Sequence, residues 1–305
     1  MREEKTMKRL ALLLAAMGVV SAAAFAGSLQ VTGINQELEY EHVNKGKAND
    51  VTLTTTVDMK YDDWAFSIQG GKFWLYGTKG AAKKGLSSNN GRLQLDVWNS
   101  LTPEFKLGYR FRGQKDFDRH YVRYAYGHDW FLSSADVWYE SANGAKNNQM
   151  RMELFPLGAT YKGFTAKWFV QYDKTIKNPG QVVNPGKDDD GDGKQKSYFE
   201  TQIRLYAPIY SDDAFSLSAE GRFTLAARAK YTDKANGDKQ GYAVYKDFGR
   251  TRLYLKGNYK VTDAFSVYGY YGYEFRSFKT KDGGAKPATG DKNYHDVGIG
   301  WNYTF

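Results

Sequence analysis

The sequence predicts an all-β protein whose strands close into an antiparallel transmembrane β-barrel. Two observations support this fold class, and the composition excludes an alternative. Long segments alternate apolar and polar residues with a period of two, as strands with two different faces do. Short polar turns, each followed by an aromatic residue, alternate with longer polar stretches. The chain has 24 Tyr and 32 Gly but only 6 Pro and no Cys, which excludes a disulfide framework and thiol chemistry.

The N-terminal stretch predicts a cleavable signal peptide over residues 1–26. Lys8 and Arg9 precede the apolar run Leu10–Ala24, which at about 15 residues is short for a spanning helix. The small residues Ala24 and Ala26 fit a cleavage site for secretion. A start at Met7 would also leave a basic region before the apolar run. Residues 27–305 are then expected to form the barrel.

The turns set the expected number of strands. The short turns lie at Asp62-Asp63, Pro103-Glu104, His128-Asp129, Lys162-Gly163, Asp212-Asp213 and Thr262-Asp263. The longer polar stretches between them are Val43–Asp50, Gly77–Asn90, Gly113–Asp118, Ala142–Asn148, Asp173–Lys196, Thr232–Asp247 and Thr280–Lys292. This alternation predicts about fourteen strands, within a range of about 12 to 16, with short turns at one rim and long loops at the other.

Individual strands are predicted from the same alternation, taken in chain order. It is clear over residues 51–61, 105–112, 215–228, 250–259 and 294–305, and poorly phased near 29–42 and 242–248. A soluble β-sandwich also alternates, but its strands are usually shorter, at about 5–6 residues. Longer strands repeated along one chain favour a closed barrel, because closure removes the edges that such strands would otherwise expose.

The polarity of a barrel inverts in a membrane, so its apolar face is expected to meet lipid and its polar face to line the interior. Arg222, Arg252 and Lys256 lie in the middle of predicted strands. Each would cost ~2–4 kcal/mol if it faced the middle of the bilayer. A barrel of about fourteen strands is wider than the eight-stranded barrels whose interiors side chains fill. The sequence therefore predicts a hydrated channel.

The predicted inner face is rich in arginine. The residues expected to line the pore and set its selectivity are Arg110, Arg112, Arg204, Glu220, Arg222, Arg228, Arg250 and Arg252. Rings of arginine favour the passage of anions, and the formal net charge of +9 agrees with this. The alternative is that these arginines pair with Glu220 and neighbouring acids and only solvate the wall.

The longest polar stretch contains an acidic run with Asp188, Asp190 and Asp192. The run matches the opening of a calcium loop, but Phe199 stands where the bidentate glutamate should be. Three interpretations remain open: a solvated surface loop with weak Ca²⁺ binding, a tight Ca²⁺ site, or a loop that folds into the bore and narrows it against the arginines. No cofactor and no firm metal site are predicted.

Catalysis and nucleic-acid binding are not expected. Three histidines, His42, His120 and His295, lie near acids at predicted outer strand ends, where a catalytic dyad would be placed. The sequence lacks a nucleophile motif, a metal-spaced histidine pair and a phosphate-binding glycine loop. It also lacks a helical basic stripe for nucleic acid.

The last strand ends with Val297, Ile299, Trp301, Tyr303 and Phe305 on one face. With the leader and the aromatic-flanked turns, this ending makes the chain resemble a Gram-negative outer-membrane porin. In strand layout and Lys-rich leader it is similar to fusobacterial major outer-membrane porins. The resemblance implies export through the periplasm, a place in the lipid of the outer membrane, and passive diffusion of small hydrophilic or anionic solutes. It also implies assembly machinery that recognises Phe305, and it leaves a homotrimer or a monomer open. The competing functions are an oligosaccharide-specific channel and an adhesin or structural barrel.

Overall fold

The computed structural model describes residues 29–43, 49–77, 85–142, 148–177, 194–232, 242–281 and 293–305. The expected signal peptide and the acidic positions Asp188, Asp190 and Asp192 lie outside these ranges. The fourteen strands are β1 Gln30–Val43, β2 Asn49–Tyr61, β3 Trp64–Gly77, β4 Gly85–Ser100, β5 Phe105–Gln114, β6 Phe117–His128, β7 Phe131–Ala142, β8 Asn148–Tyr161, β9 Phe164–Lys177, β10 Lys194–Ser211, β11 Phe215–Thr232, β12 Tyr242–Lys260, β13 Phe265–Lys281 and β14 Asn293–Thr304. The predicted fold class and strand number are confirmed.

The sheet is a single closed barrel in which each strand pairs antiparallel with its neighbours in sequence. Strand β14 returns to β1, and their register runs from Gly33 opposite Thr304 to Val43 opposite Tyr294. Closure gives every strand two hydrogen-bonded neighbours, which is the condition for a β-structure to cross a bilayer. Within the described ranges, no helix has the length and apolar character needed to span a membrane.

All six short turns lie where the sequence predicts them. At Lys162 and Gly163 both residues have left-handed φ angles, 48° and 83°, as a tight type I′ hairpin requires. At the turn after β10, the Asp212 carboxylate accepts hydrogen bonds from the backbone N–H of Phe215 at 2.7 Å and of Ala214 at 2.9 Å. The bond from Phe215 is the main reason why the pKa of Asp212 lies below its usual value.

At the opposite rim several strands extend into the predicted loops, as two examples show. The stretch 113–118 was expected to be a long loop, but strands β5 and β6 continue until only residues 115 and 116 lie between them. The stretch 77–90 was expected to be irregular, but β4 already begins at Gly85. Polar residues occupy both stretches because strands near a rim no longer have to present an apolar face to lipid.

The barrel exposes apolar side chains and buries charged ones. Leu253 and Ile299 are 46% and 59% exposed, whereas Glu200 and Glu274 are fully buried. A soluble protein shows the reverse distribution, because leaving apolar area in water and burying charge are both unfavourable. The outer surface is therefore suited to lipid, and the charged residues belong to the interior of the barrel. Aromatic residues beside the short turns, such as Trp130 and Phe164, are more than half exposed and occupy the position of an interfacial girdle.

Three inward-facing tyrosines lie over glycines of the next strand. Tyr254 faces Gly272 in the register, Tyr270 faces Gly298 and Tyr268 faces Gly300. A Cβ added at Gly298 would lie 2.3 Å from the ring of Tyr270. The missing side chain of each glycine therefore lets a ring lie against the wall of the barrel.

We expect Gly298→Ala to destabilise the folded barrel by about 1–3 kcal/mol, because the new methyl group must displace the Tyr270 ring. Guanidinium unfolding in detergent, followed by tryptophan fluorescence, measures this change. Gly70→Ala is the matched control, because a Cβ there has no atom within 4 Å. Equal stability of the two variants would show that the packing of the Tyr270 ring does not require a glycine at position 298.

Candidate functional site

A row of basic side chains crosses four neighbouring strands of the inner wall. Lys167 on β9 pairs with Arg204 on β10, Arg204 pairs with Arg222 on β11, and Arg222 pairs with Arg252 on β12. We call these four residues the basic row. Like charges directly opposite one another destabilise a sheet. The basic row is therefore expected either to have anionic neighbours or to be retained because it has a function.

Two acids offset part of the basic row. Glu220 is 3% exposed and binds Arg222 through Nε at 2.5 Å and Lys256 through Nζ at 2.5 Å. Beyond Arg252 the register continues to Glu274 on β13, whose carboxylate lies 2.5 Å from Arg252 Nε. Arg222 and Arg252 therefore each have a carboxylate partner.

Arg204 differs from these two arginines. Its Nε donates to Gln202 Oε1 at 2.9 Å, and its guanidinium lies 3.7 Å from the centre of the Phe169 ring. Among the described residues, no carboxylate lies within ion-pair distance of it. Its charge is therefore held by an amide and an aromatic face, both of which leave it able to attract an anion.

Glu274 binds more arginines than any other acid among the described residues of the wall. It is fully buried and receives the Nε atoms of Arg250 at 2.9 Å, Arg252 at 2.5 Å and Arg276 at 2.5 Å. Arg250 also reaches Glu200 at 3.2 Å. One carboxylate thus joins arginines from β12 and β13, and its removal would leave three guanidinium groups with one fewer partner.

A second charged network covers the opposite strands, β4 to β7. Asp96 lies 2.6 Å from both Arg110 Nε and Arg123 Nη1. Arg123 also binds Asp136 at 2.7 Å. Arg112 donates to the side chain of Gln94 at 2.8 Å. Arg110 and Arg112 thus lie on the inner face as expected, whereas Arg123 was missed because pairing across strands depends on the register.

Two cavities open onto the basic row. One has a volume of about 240 Å³ and is lined by Arg204, Arg222, Arg250 and Arg252, together with Glu153, Phe169, Gln171, Gln202 and Glu274. The other, of about 610 Å³, is also lined by Arg222 and Arg252 and extends to Tyr254 and Asp296. The structure therefore brings four of the predicted arginines to one space, with Glu220 bonded beside them.

The inner face carries more acids than the sequence analysis assigned to it. Glu37, Glu39 and Glu41 on β1 and Asp296 on β14 line the larger cavity. Three glutamates at a period of two indicate one polar face of a strand. The residues Gln36 and His42 on the other face are polar too, so the sequence did not show which face of β1 points inward. The interior therefore has an acidic side at the β1–β14 seam and a basic row on β9–β12.

The predicted inward position of Arg228 is wrong. The residue was expected on the inner face with Arg222, but Leu225 is an extra residue in β11, at the register shift between Thr224 and Ala226. Such a bulge reverses which side chains face inward. Ala227 is consequently buried inside, and Arg228 lies on the outer face, where it binds Asp247 at 2.5 Å.

His42 and His295 do not face the acids next to them in the sequence. His42 and His295 are partners in the β1–β14 register, and Glu41 and Asp296 are partners in the adjacent pair. Because successive side chains alternate, the imidazoles point outward while these carboxylates point inward. His120 points outward as well, where its Nδ1 lies 2.7 Å from the Tyr109 hydroxyl.

Comparison with known proteins finds structural but not sequence relatives. No family model matches the chain, and no curated protein matches it. A bacterial polysaccharide outer membrane secretin superposes with a TM-score of 0.54 at 9% identity, covering 90% of this chain and 98% of that one. The translocator domain of autotransporter NalP from Neisseria meningitidis gives 0.45 at 12% identity over 99% and 98%. Pseudomonas aeruginosa OprD gives 0.44 at 9% identity over 90% and 94%. The secretin likeness shows the fold, and this fold and the apolar outer surface together are those of a transmembrane β-barrel.

We expect Glu274→Gln to lower the free energy of unfolding by ~3–5 kcal/mol, because it leaves three largely buried guanidinium groups without the carboxylate charge that they share. Guanidinium titration in detergent measures the change. Asp263→Asn is the control, since that acid lies in an exposed turn and binds only Lys260 there. Unfolding curves that coincide for Glu274→Gln and wild type would mean that hydration, and not Glu274, stabilises the arginines.

Proposed function

We propose that the protein is an outer-membrane porin, a water-filled channel for passive diffusion of small hydrophilic solutes with a preference for anions. Transport follows from the width and charge of the interior and needs no cofactor and no catalytic turnover. The long-loop rim faces outward from the cell, and the short turns, the start of β1 and the end of β14 face the periplasm. Barrels with short periplasmic turns and longer outer loops have this orientation.

The basic row beside an open cavity is the observation that carries the proposal. Four cations on adjacent strands raise the local concentration of anions. Arg222 and Arg252 are partly offset by Glu220 and Glu274, whereas Arg204 is not. Arg204 and Lys167 are therefore the residues through which the row acts most strongly on a passing ion.

The proposal extends to partners. The apolar outer surface contacts outer-membrane lipid. The side chain of Phe305 is 69% exposed at the end of β14, where the assembly machinery of the outer membrane would reach it. A homotrimer is the assembly we propose to test first, by chemical cross-linking of the folded protein in detergent.

Planar-bilayer recording tests the channel. Purified folded protein is expected to give discrete conductance steps, and a salt gradient is expected to give a reversal potential of the sign for anion preference. A barrel that inserts into the bilayer but gives no conductance steps would favour an adhesin or structural role instead.

We expect the double change Arg204→Gln and Lys167→Gln to move the reversal potential toward cation selectivity. One unit charge ~4 Å from an ion is worth about 1 kcal/mol in water, or about five-fold, so the loss of two charges should lower the permeability ratio of chloride to potassium by at least about five-fold. Arg204 is suited to this test because its loss leaves no carboxylate without a partner. Lys162→Gln, in an exposed turn, is the control. An unchanged ratio would reject the basic row as the selectivity element.

An oligosaccharide-specific channel is the second candidate, and one observation favours it. The rings of Tyr254, Tyr268 and Tyr270 lie against the wall beside Arg222 and Arg252, and flat aromatic faces next to cations suit acidic sugars. Adding oligogalacturonate during recording separates the two functions. Concentration-dependent block at micromolar sugar would support the specific channel, and undisturbed current would support general diffusion.

A further inference from the structure

Three carboxylates meet inside the barrel at the seam between its first and last strands. Glu39 and Glu41 are on β1, and Asp296 is opposite Glu41 on β14. An oxygen of each lies within 4.8 Å of an oxygen of the other two. We call these residues the seam trio. Asp296 approaches the basic row through Arg252, whose Nη1 lies 3.9 Å from its Oδ2.

Each member of the seam trio is held through one oxygen by a tyrosine hydroxyl. Tyr270 donates to Glu39 Oε1 at 3.0 Å, and Tyr254 donates to Asp296 Oδ2 at 2.6 Å. Tyr294 donates to Glu41 Oε1. The tyrosines fix the orientation of the carboxylates.

Asp296 supplies a second, independent observation. The residue is only 5% exposed, and its Oδ1 atom is buried without a hydrogen-bond partner. A buried carboxylate oxygen left in this state is costly. Arg252 Nη1 approaches the other oxygen, Oδ2, and only to 3.9 Å, so it does not satisfy Oδ1.

We propose that the seam trio binds a calcium ion. Ca²⁺ takes carboxylate oxygens at ~2.3–2.6 Å, so two oxygens on opposite sides of one ion lie at most ~5 Å apart. The spacing within the trio fits a shared ion. A bound cation relieves the repulsion between three close carboxylates and gives Asp296 Oδ1 a partner. It also ties β1 to β14 across the closure of the barrel.

Calcium at the seam has a consequence for the channel. Two positive charges there offset the acidic side of the larger cavity, which the basic row faces through Arg222 and Arg252. The interior is then more favourable to anions when calcium is bound. Binding itself does not require the barrel to conduct, so it is measured separately from the proposed function.

Terbium luminescence tests the site directly, because Tb³⁺ replaces Ca²⁺ and is excited by nearby tyrosines. Folded full-length barrel in detergent is titrated with Tb³⁺, tyrosine is excited, and terbium emission is recorded before and after adding Ca²⁺. We expect saturable emission that excess Ca²⁺ removes. Loss of a partner that only orients a metal ligand already costs about 10–100-fold in affinity. Asp296→Asn and the isosteric Glu41→Gln should therefore weaken binding at least ten-fold.

Glu37→Gln is the matched control. Glu37 lies on the same strand, lines the same cavity and accepts from Tyr268 at 2.8 Å, but it is not part of the seam trio. Its variant should bind Tb³⁺ as wild type does. Absence of saturable emission, as expected if the trio only shares a proton, would overturn the proposal. Emission that stays unchanged in folded Asp296→Asn and Glu41→Gln would overturn it too.

Discussion

The need to satisfy every backbone hydrogen bond inside the bilayer is the constraint on which the structure depends. Lipid offers no partner for an open strand edge, so a sheet that crosses a membrane must close. Here closure is the pairing of β1 with β14. Once the sheet is closed, the period of two divides the side chains between lipid and an interior. Leu253 and Ile299 take the outside, and the charged residues have only the inside available.

The pairing of charged side chains differs from one part of the interior to another. Glu274 gathers three arginines and Asp96 two, so most inward cations are neutralised locally. Arg204 is held instead by Gln202 and the ring of Phe169. This uneven pairing leaves a basic row on β9–β12 and an acidic seam at β1–β14, and both reach the larger cavity. The selectivity that we propose depends on the uneven pairing, since a uniformly paired wall would not distinguish anions from cations.

The strand number, the short turns and the outward apolar face could be predicted from the sequence, because turn residues and alternation are local properties. Arg228 could not be placed, because one extra residue at Leu225 reverses the phase and leaves no separate signature in the alternation. Lys167 was missed for a different reason: it becomes part of a row only when the register of β9 against β10 is known. The pairing that distinguishes Arg204 from Arg222 likewise depends on neighbours far along the chain.

Cysteine labelling tests most directly whether the polar face lines a water-filled interior. The chain has no cysteine, so a single one can be placed without background. Ser218→Cys lines the larger cavity, whereas Leu255→Cys lies on the outer face, where Leu255 is 48% exposed. In lipid vesicles we expect a charged methanethiosulfonate reagent to modify the cysteine at 218 rapidly and the one at 255 little. Rapid modification at 255 and protection at 218 would contradict the orientation on which the whole account depends.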